Sequence, residues 1–422
     1  MMIVNPFRGV RPIPGKVKEI VSPPYDVLDS DEARKVAKDN SLSFLRIIKP
    51  EIEFDVSINP YDVQVYQKGA ENLNRLISQG MLVQDEEPRY YIYKLRMGRH
   101  QQAGLVAVAG IEDYEQNRIK KHEHTRPEKE IDRANHINEL NAQTGPVFLT
   151  YRSSAGIDDL IEKAMEREPV YDFIGDHDVR HTFYVIHEEQ RIQRIKSAFS
   201  RLKALYVADG HHRSAAAVRV RDTRMTSNPK HTGQEPYNFF LSVLFPHNQL
   251  RILDYNRFVT DLGGMSVKLF LENIEKEGKF DLKPYAPSRS NDERFFRPRR
   301  EHTFGMYLDG QWYSLTAAPG TFEANDLIDR LDVSILQKNL LSPLLSVQDP
   351  RTDKRIHFVG GIRGMEELER LVDSQADSVA FSLYPTGIEH LMQVADAGKV
   401  MPPKSTWFEP KLGSGIILHM LS

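Results

Sequence analysis

Apolar and polar positions repeat with two periods along this chain, and the places where the period changes mark its elements. Val65, Leu73, Leu76 and Ile77 share one side of a helix expected over residues 61–79 and closed by Gly80. Alternation then takes over. Tyr91, Tyr93 and Leu95 predict a strand over 89–97, and Gly98-Arg99-His100 turns it into a second over 102–111. The same reading predicts helices over 30–40, 158–168, 189–202 and 267–277, and strands over 44–48, 147–151, 182–186, 205–208, 238–245 and 250–254. Asp309-Gly310 signals a hairpin of 303–308 with 311–315. A helix over 326–345 follows, then strand, helix, strand and helix over 356–359, 365–373, 379–383 and 388–397, and a last strand over 415–421. Hairpins mixed with alternating units predict a mixed α/β chain (α+β), not a purely parallel one.

A length of 422 residues predicts two packed units. The boundary is expected at 256–264, giving a first domain over 1–260 and a C-terminal α/β domain over 261–422 whose last segment returns to the site. Composition changes this picture little: 40% hydrophobic and 27% charged residues are ordinary for a globular chain. The formal net charge of −3 offers no bulk attraction to nucleic acid or an anionic membrane. No run is apolar enough to span a bilayer, and Met1-Met2-Ile3-Val4-Asn5-Pro6 lacks the pattern of a secretory signal, so cytoplasm is the expected location. The absence of cysteine excludes disulfides, thiolate catalysis and cysteine metal sites.

The chemistry concentrates first at Asp209-Gly210-His211-His212-Arg213-Ser214, between the apolar run 205–208 and an alanine-rich helix. A strand that turns through glycine into a helix leaves backbone N–H groups unpaired, which suits an anion, most often phosphate. Arg213 adds a two-pronged donor. The plain alternative is a buried polar corner in which Asp209 pairs with Arg213.

A second concentration spans 121–136. Thr125 and Glu128 have capping-box spacing, with Pro127 in the first turn. Arg126, Lys129, Arg133 and His136 fall three or four apart on that helix, and the stripe is expected to face a cleft. Glu123, bracketed by His122 and His124 and set among cations, is expected to stay ionised and to orient a hydroxyl or hold a metal ion. A solvated, capped helix with ordinary surface charges is the alternative. His122, His124, His211 and His212 with Glu123 or Asp209 would supply a zinc or iron set, but no spacing matches a known metal motif. Magnesium arriving with a nucleotide, held by Asp209 and Glu123, is the favoured cation. Lys404-Ser405-Thr406 offers a third phosphate-binding group, without a glycine-rich Walker pattern before it. Tyr25-Asp26 after two prolines reads as a rigid structural corner.

Pro23-Pro24-Tyr25-Asp26-Val27, His122-Glu123-His124-Thr125, Ala208 through Arg213 and Met401 through Thr406 together resemble a widespread bacterial family of conserved proteins of unknown function, over nearly the whole chain. The Asp-Gly-His-His-Arg loop alone resembles the phosphate-binding loop of the ParB/sulfiredoxin-like superfamily, which includes free-serine kinases. That second resemblance implies a ParB/sulfiredoxin-like core with a mixed sheet, and a phosphate role for Gly210, His211, His212 and Arg213. Sulfiredoxin chemistry needs a cysteine that the chain lacks, and no helix-turn-helix supports DNA binding.

The expected function is a small-molecule kinase that uses ATP or ADP with Mg on a hydroxyl metabolite such as serine. Gly210, His211, His212, Arg213 and Ser214 would cradle phosphate, with Arg126, Lys129, Arg133, Lys404, Ser405 and Thr406 in support. Glu123, Asp209 and His211 would be catalytic. A nucleotide-responsive switch, or a phosphohydrolase, would use the same loop.

Overall fold

The computed structural model describes residues 1–286 and 294–422, so the charged loop expected over 288–300 lies in part outside the described residues. The chain forms two compact units, Met1–Leu250 with Pro410–Ser422, and Arg251–Glu409. The division falls ahead of the expected 256–264 because Tyr255–Val259 is an interior strand of the second unit's sheet.

The first unit is built on a nine-stranded mixed sheet. Its strands are β1 (Val4–Asn5), β2 (Tyr90–Met97), β3 (His100–Gly110), β4 (Ile119–Lys120), β5 (Val147–Tyr151), β6 (Tyr171–Ile174), β7 (Arg180–Ile186), β8 (Leu205–Asp209) and β9 (Phe239–Pro246). Their order is β4-β8-β5-β9-β3-β2-β7-β6, with β1 beside β3. β8 runs parallel to β4, and β9 parallel to β5; the other pairs are antiparallel. The main helices are α1 (Val63–Ser78), α2 (Pro127–Leu140), α3 (Ala155–Ala164), α4 (Glu189–Ser200) and α5 (His211–Ser227). Ile157, Ile161, Ile192, Ile195 and Phe199 of α3 and α4 join Leu105, Leu149, Leu205 and Val207 in the main core. Each such side chain contributes about 1.5–3 kcal/mol by leaving water.

α2 packs on α5 through Ala134, Ile137, Ala216 and Val220, a contact thin enough to bring the two helix starts together. The C-terminal segment returns here. Ser414 pairs with Ser22, Leu418 with Val10, and His419–Met420 with Ala142–Gln143, while Ile416 and Ile417 are fully buried. The strand expected over 415–421 is therefore paired only in pieces.

The second unit holds a six-stranded antiparallel sheet of β10 (Tyr255–Val259), β11 (Phe280–Pro284), β12 (Thr303–Leu308), β13 (Gln311–Ala317), β14 (Ile356–Gly360) and β15 (Val379–Ser382), in the order β11-β13-β12-β15-β10-β14. The chain is thus mixed α/β. Two expectations fail locally. Residues 44–48 form a buried helical turn, Leu45–Ile48, in which Arg46 bonds back to the Asn40 and Ala37 carbonyls. The helix expected over 326–345 is only Asp332–Leu336, followed by a π turn at Gln337–Leu341, where the Asn339 amide donates to the Ile335 and Thr321 carbonyls. Among the described residues no helix is long and apolar enough to cross a membrane.

Candidate functional site

β8 ends at Asp209, and Gly210 turns the chain into α5 at φ +101°. Only glycine adopts that backbone without strain, and a Cβ there would lie 3.0–3.1 Å from the Arg213 guanidinium. The guanidinium therefore lies across the turn. No side chain caps α5, so its first amides and the positive end of its dipole are left at the turn.

Arg213 is 14% exposed, 3.6 Å from the Asp209 carboxylate, and it donates to the Pro146 carbonyl. Lys411 donates to Asp209 Oδ2 at 3.0 Å. Burial alone would raise the Asp209 carboxyl, but Lys411 and Arg213 outweigh it and hold the group well below the usual carboxylate range. Its two oxygens thus face two cations of the chain. Lys411 was not foreseen; the segment that returns brings this residue, whereas Lys404, Ser405 and Thr406 stand in the second unit. There Ser405 Oγ donates to the Pro402 carbonyl, Thr386 Oγ1 donates to the Ser405 carbonyl, and the Lys404 ammonium lies 5.7 Å over the Tyr255 ring.

Beside the turn is a hollow of about 40 Å³, lined by Arg133, Arg213, Tyr25, His136, Thr144 and Gly145 among others. That is room for about three waters, the scale of a phosphate's oxygens and not of a whole nucleotide. Arg133 lies 4.4 Å over the face of Tyr25 and pairs with Asp132 at 2.9 Å. Tyr25 is therefore more than a turn residue. Burial first, then Asp26, push its hydroxyl up to about 12, so it remains a donor at neutral pH.

The basic stripe on α2 splits. Arg133 and His136 line the hollow, and His136 Nε2 bonds to the Ile47 carbonyl at 2.9 Å. Arg126 is exposed and Lys129 half-buried; Lys129 donates to the Tyr61 hydroxyl at 2.7 Å, and Arg126 lies 3.6 Å from Glu128. The expected capping box does not form. Arg126 is the N-cap, Thr125 Oγ1 donates to Glu130, and Arg219 of α5 meets the same carboxylate at 2.6 Å. Instead, the Arg126 amide donates to His212 Nε2 at 3.1 Å, tying the start of α2 to the start of α5. Ser214 is fully buried and its hydroxyl is directed at the Gly210 and His211 carbonyls, away from the turn's amides.

His122 and His211 are buried, with ring centroids 4.5 Å apart and planes at 89°. Burial pushes His122 down to about 4 against the opposing Val207 backbone and Asp209; burial, with His122 next, holds His211 well below its ordinary value. Both are neutral imidazoles at pH 7. One ligand atom each from His122, Glu123 and His211 lies within 4.8 Å of the others. The structure thus brings together Asp209, Gly210, Arg213 and Arg133 as one basic cradle, and His122, Glu123 and His211 as one donor cluster.

Solved structures with a partial likeness include a free serine kinase variant in complex with AMP, 13% identical over 72% of this chain and 87% of that chain, with a TM-score of 0.34. A conserved hypothetical protein from Pyrococcus furiosus is 14% identical over 72% and 90%, with a TM-score of 0.34. SbnI from Staphylococcus aureus, truncated at its C-terminus, is 10% identical over 73% and 84%, with a TM-score of 0.36. No curated protein matches the chain. Residues 4–334 match the family described as a protein of unknown function, DUF1015, and the chain belongs to that family.

Proposed function

We propose that the turn from Asp209 to Arg213 grips the phosphates of ATP or ADP, and that the protein is a small-molecule kinase acting on a hydroxyl. The observation that carries this reading is the hollow lined by two guanidiniums, Arg133 and Arg213, next to an uncapped helix start. Around it Arg133 pairs with Asp132, and Arg213 and Lys411 share Asp209, a gathering of cations that favours a bound anion. In the reaction the acceptor hydroxyl oxygen attacks the terminal phosphorus, the bond from phosphorus to the nucleotide's bridging oxygen breaks, and the hydroxyl proton passes to a base. The two arginines neutralise charge that spreads over the phosphoryl oxygens. Asp209 is engaged by Lys411 and Arg213, and Glu123, half-buried beside His122 and His211, is the carboxylate this reading assigns to the acceptor, directly or through a cation. Serine or a similar metabolite is the acceptor this reading favours, and magnesium accompanies the nucleotide.

Calorimetric titration of ATP and ADP with magnesium tests the grip. Arg213→Ala and Arg133→Ala should each weaken binding about tenfold or more, the worth of one charge-assisted pair. Nucleotide consumption with a panel of hydroxyl amino acids tests the transfer, and Glu123→Gln should keep binding and lose turnover. Failure of ATP, ADP and inorganic phosphate to bind the parent protein would end this reading. Binding without consumption would leave a nucleotide-responsive switch in its place.

A further inference from the structure

β4 and β8 run side by side and in the same direction, with Ile119 opposite Leu205 and Lys120 opposite Tyr206. Both strands then leave the sheet, His122 two residues beyond the end of β4 and His211 two residues beyond the end of β8. That register sets His122 level with Ala208, and beyond the turn at Gly210 the His211 ring meets it, with centroids 4.5 Å apart. His122 is 2% exposed and His211 5%. The Val207 backbone lies near the His122 ring, but neither ring nitrogen of His122, nor Nε2 of His211, reaches a partner with the distance and angle of a hydrogen bond among the described residues. A buried polar atom without a partner is a cost the fold carries, and such atoms are uncommon. Here three of them adjoin a carboxylate, Glu123.

We propose that His122, Glu123 and His211 form a binding site for one divalent first-row transition-metal ion, of which zinc is the representative. Each neutral imidazole presents one nitrogen lone pair, and both lie beside the Glu123 carboxylate, so the group this set suits is a cation. A phosphate would meet the Glu123 carboxylate instead of a donor. Magnesium prefers oxygen ligands and water, whereas two imidazoles with one carboxylate suit zinc, iron, cobalt or nickel. Bond lengths of about 2.0–2.2 Å to such an ion set the ligand atoms about 3.4 Å apart in a tetrahedron. The present separations of up to 4.8 Å close to that by rotation of side chains. Three protein ligands leave a fourth position for water or a substrate oxygen, the pattern of catalytic zinc sites. The other candidates are excluded by their partners: Asp209 faces Lys411 and Arg213, and His212 Nε2 accepts from the Arg126 amide.

The test uses tag-free full-length protein stripped with chelator and dialysed against Co²⁺ or Zn²⁺. One ion per chain is expected, with visible ligand-field absorption for Co²⁺ that Zn²⁺ abolishes and excess Mg²⁺ does not. His122→Ala and His211→Ala should each weaken binding by about a hundredfold or more, at least the loss seen when a ligand's supporting partner is removed. Glu123→Gln, a change at a half-buried position, should weaken binding while circular dichroism stays unchanged, which keeps the test valid if a histidine variant misfolds. His124→Ala, outside the cluster, should bind as the parent does. Substoichiometric binding, or binding untouched by all three ligand variants, would overturn the proposal. Arg133 and Arg213 are not ligands, so nucleotide titration of the stripped protein judges the kinase reading separately.

Discussion

At the scale of the residue, the turn depends on Gly210 for two reasons that add. Its φ of +101° strains any other residue, and the space a Cβ would take holds the Arg213 guanidinium. Gly80 offers the comparison, since its φ is +67° but nothing lies within 4 Å of an added Cβ. Gly210→Ala should cost about 1–3 kcal/mol in urea unfolding and also weaken ADP binding, because the guanidinium must move. Gly80→Ala should cost about 1 kcal/mol and leave ADP binding as it was. Equal binding by the parent and the Gly210 variant would show that the position of Arg213 is immaterial. Gly210 and Arg213 were legible because their signal is local: an apolar strand, a glycine and a helix start in succession. Lys411 carried no such signal. It reaches Asp209 across 202 positions, and only the folded path of the last segment brings it there. Tyr25 reads as a corner in the sequence because its partner, Arg133, is also remote along the chain.

Elements were legible where their apolar period ran long, and not where it was short. α1 is legible because several turns repeat one pattern and α5 because it is rich in alanine, while residues 44–48 are a single apolar run that suits a strand or a buried turn alike. The capping box failed for a different reason. Glu130 of α2, not Glu128, receives Thr125, since Arg219 of α5 already holds Glu130 in place. A tertiary ion pair thus outranked the local motif. In the second unit, Asp332 begins the shortened helix with Oδ1 accepting from the His302 amide at 2.8 Å and Oδ2 without a partner among the described residues. Burial raises its carboxyl to about 7. The folded group keeps its proton to higher pH than the unfolded one, near 3.8, so its contribution is present below that value and is lost as pH rises to about 7. The full loss is about 4 kcal/mol. Asp332→Asn keeps the bond from His302 without ionising. It should therefore raise the stability of the protein at pH 8 and change it little at pH 4. Thermal unfolding at the two pH values decides this, and an equal effect at both would show that ionisation of Asp332 carries no cost.

Across the whole molecule the first unit responds to pH in the opposite sense, because it buries histidines where the second buries an acid. Burial pushes His136, His181 and His419 each to about 4. His136 and His419 bond to the carbonyls of Ile47 and Pro236, and His181 Nδ1 meets the Tyr93 hydroxyl. All three belong to the first unit, and His419 lies on the segment that returns to it. Unfolded histidine titrates near 6.5, so between pH 6.5 and 4 the unfolded chain binds more protons than the folded one, and stability falls as pH falls. Each histidine withdraws about 3 kcal/mol over that window. Together they withdraw about 10 kcal/mol, comparable with the whole stability of an ordinary domain. The first unit should therefore lose its fold as pH approaches 4. His419→Gln retains a side-chain donor toward the Pro236 carbonyl but cannot gain a charge. Its unfolding free energy, followed by urea titration from pH 7 to 4.5, should fall less steeply than the parent's, by about 1.4 kcal/mol for each pH unit. Parallel slopes for the two proteins would mean that His419 is protonated as readily in the fold as out of it, and that the returning segment is not held by a neutral imidazole.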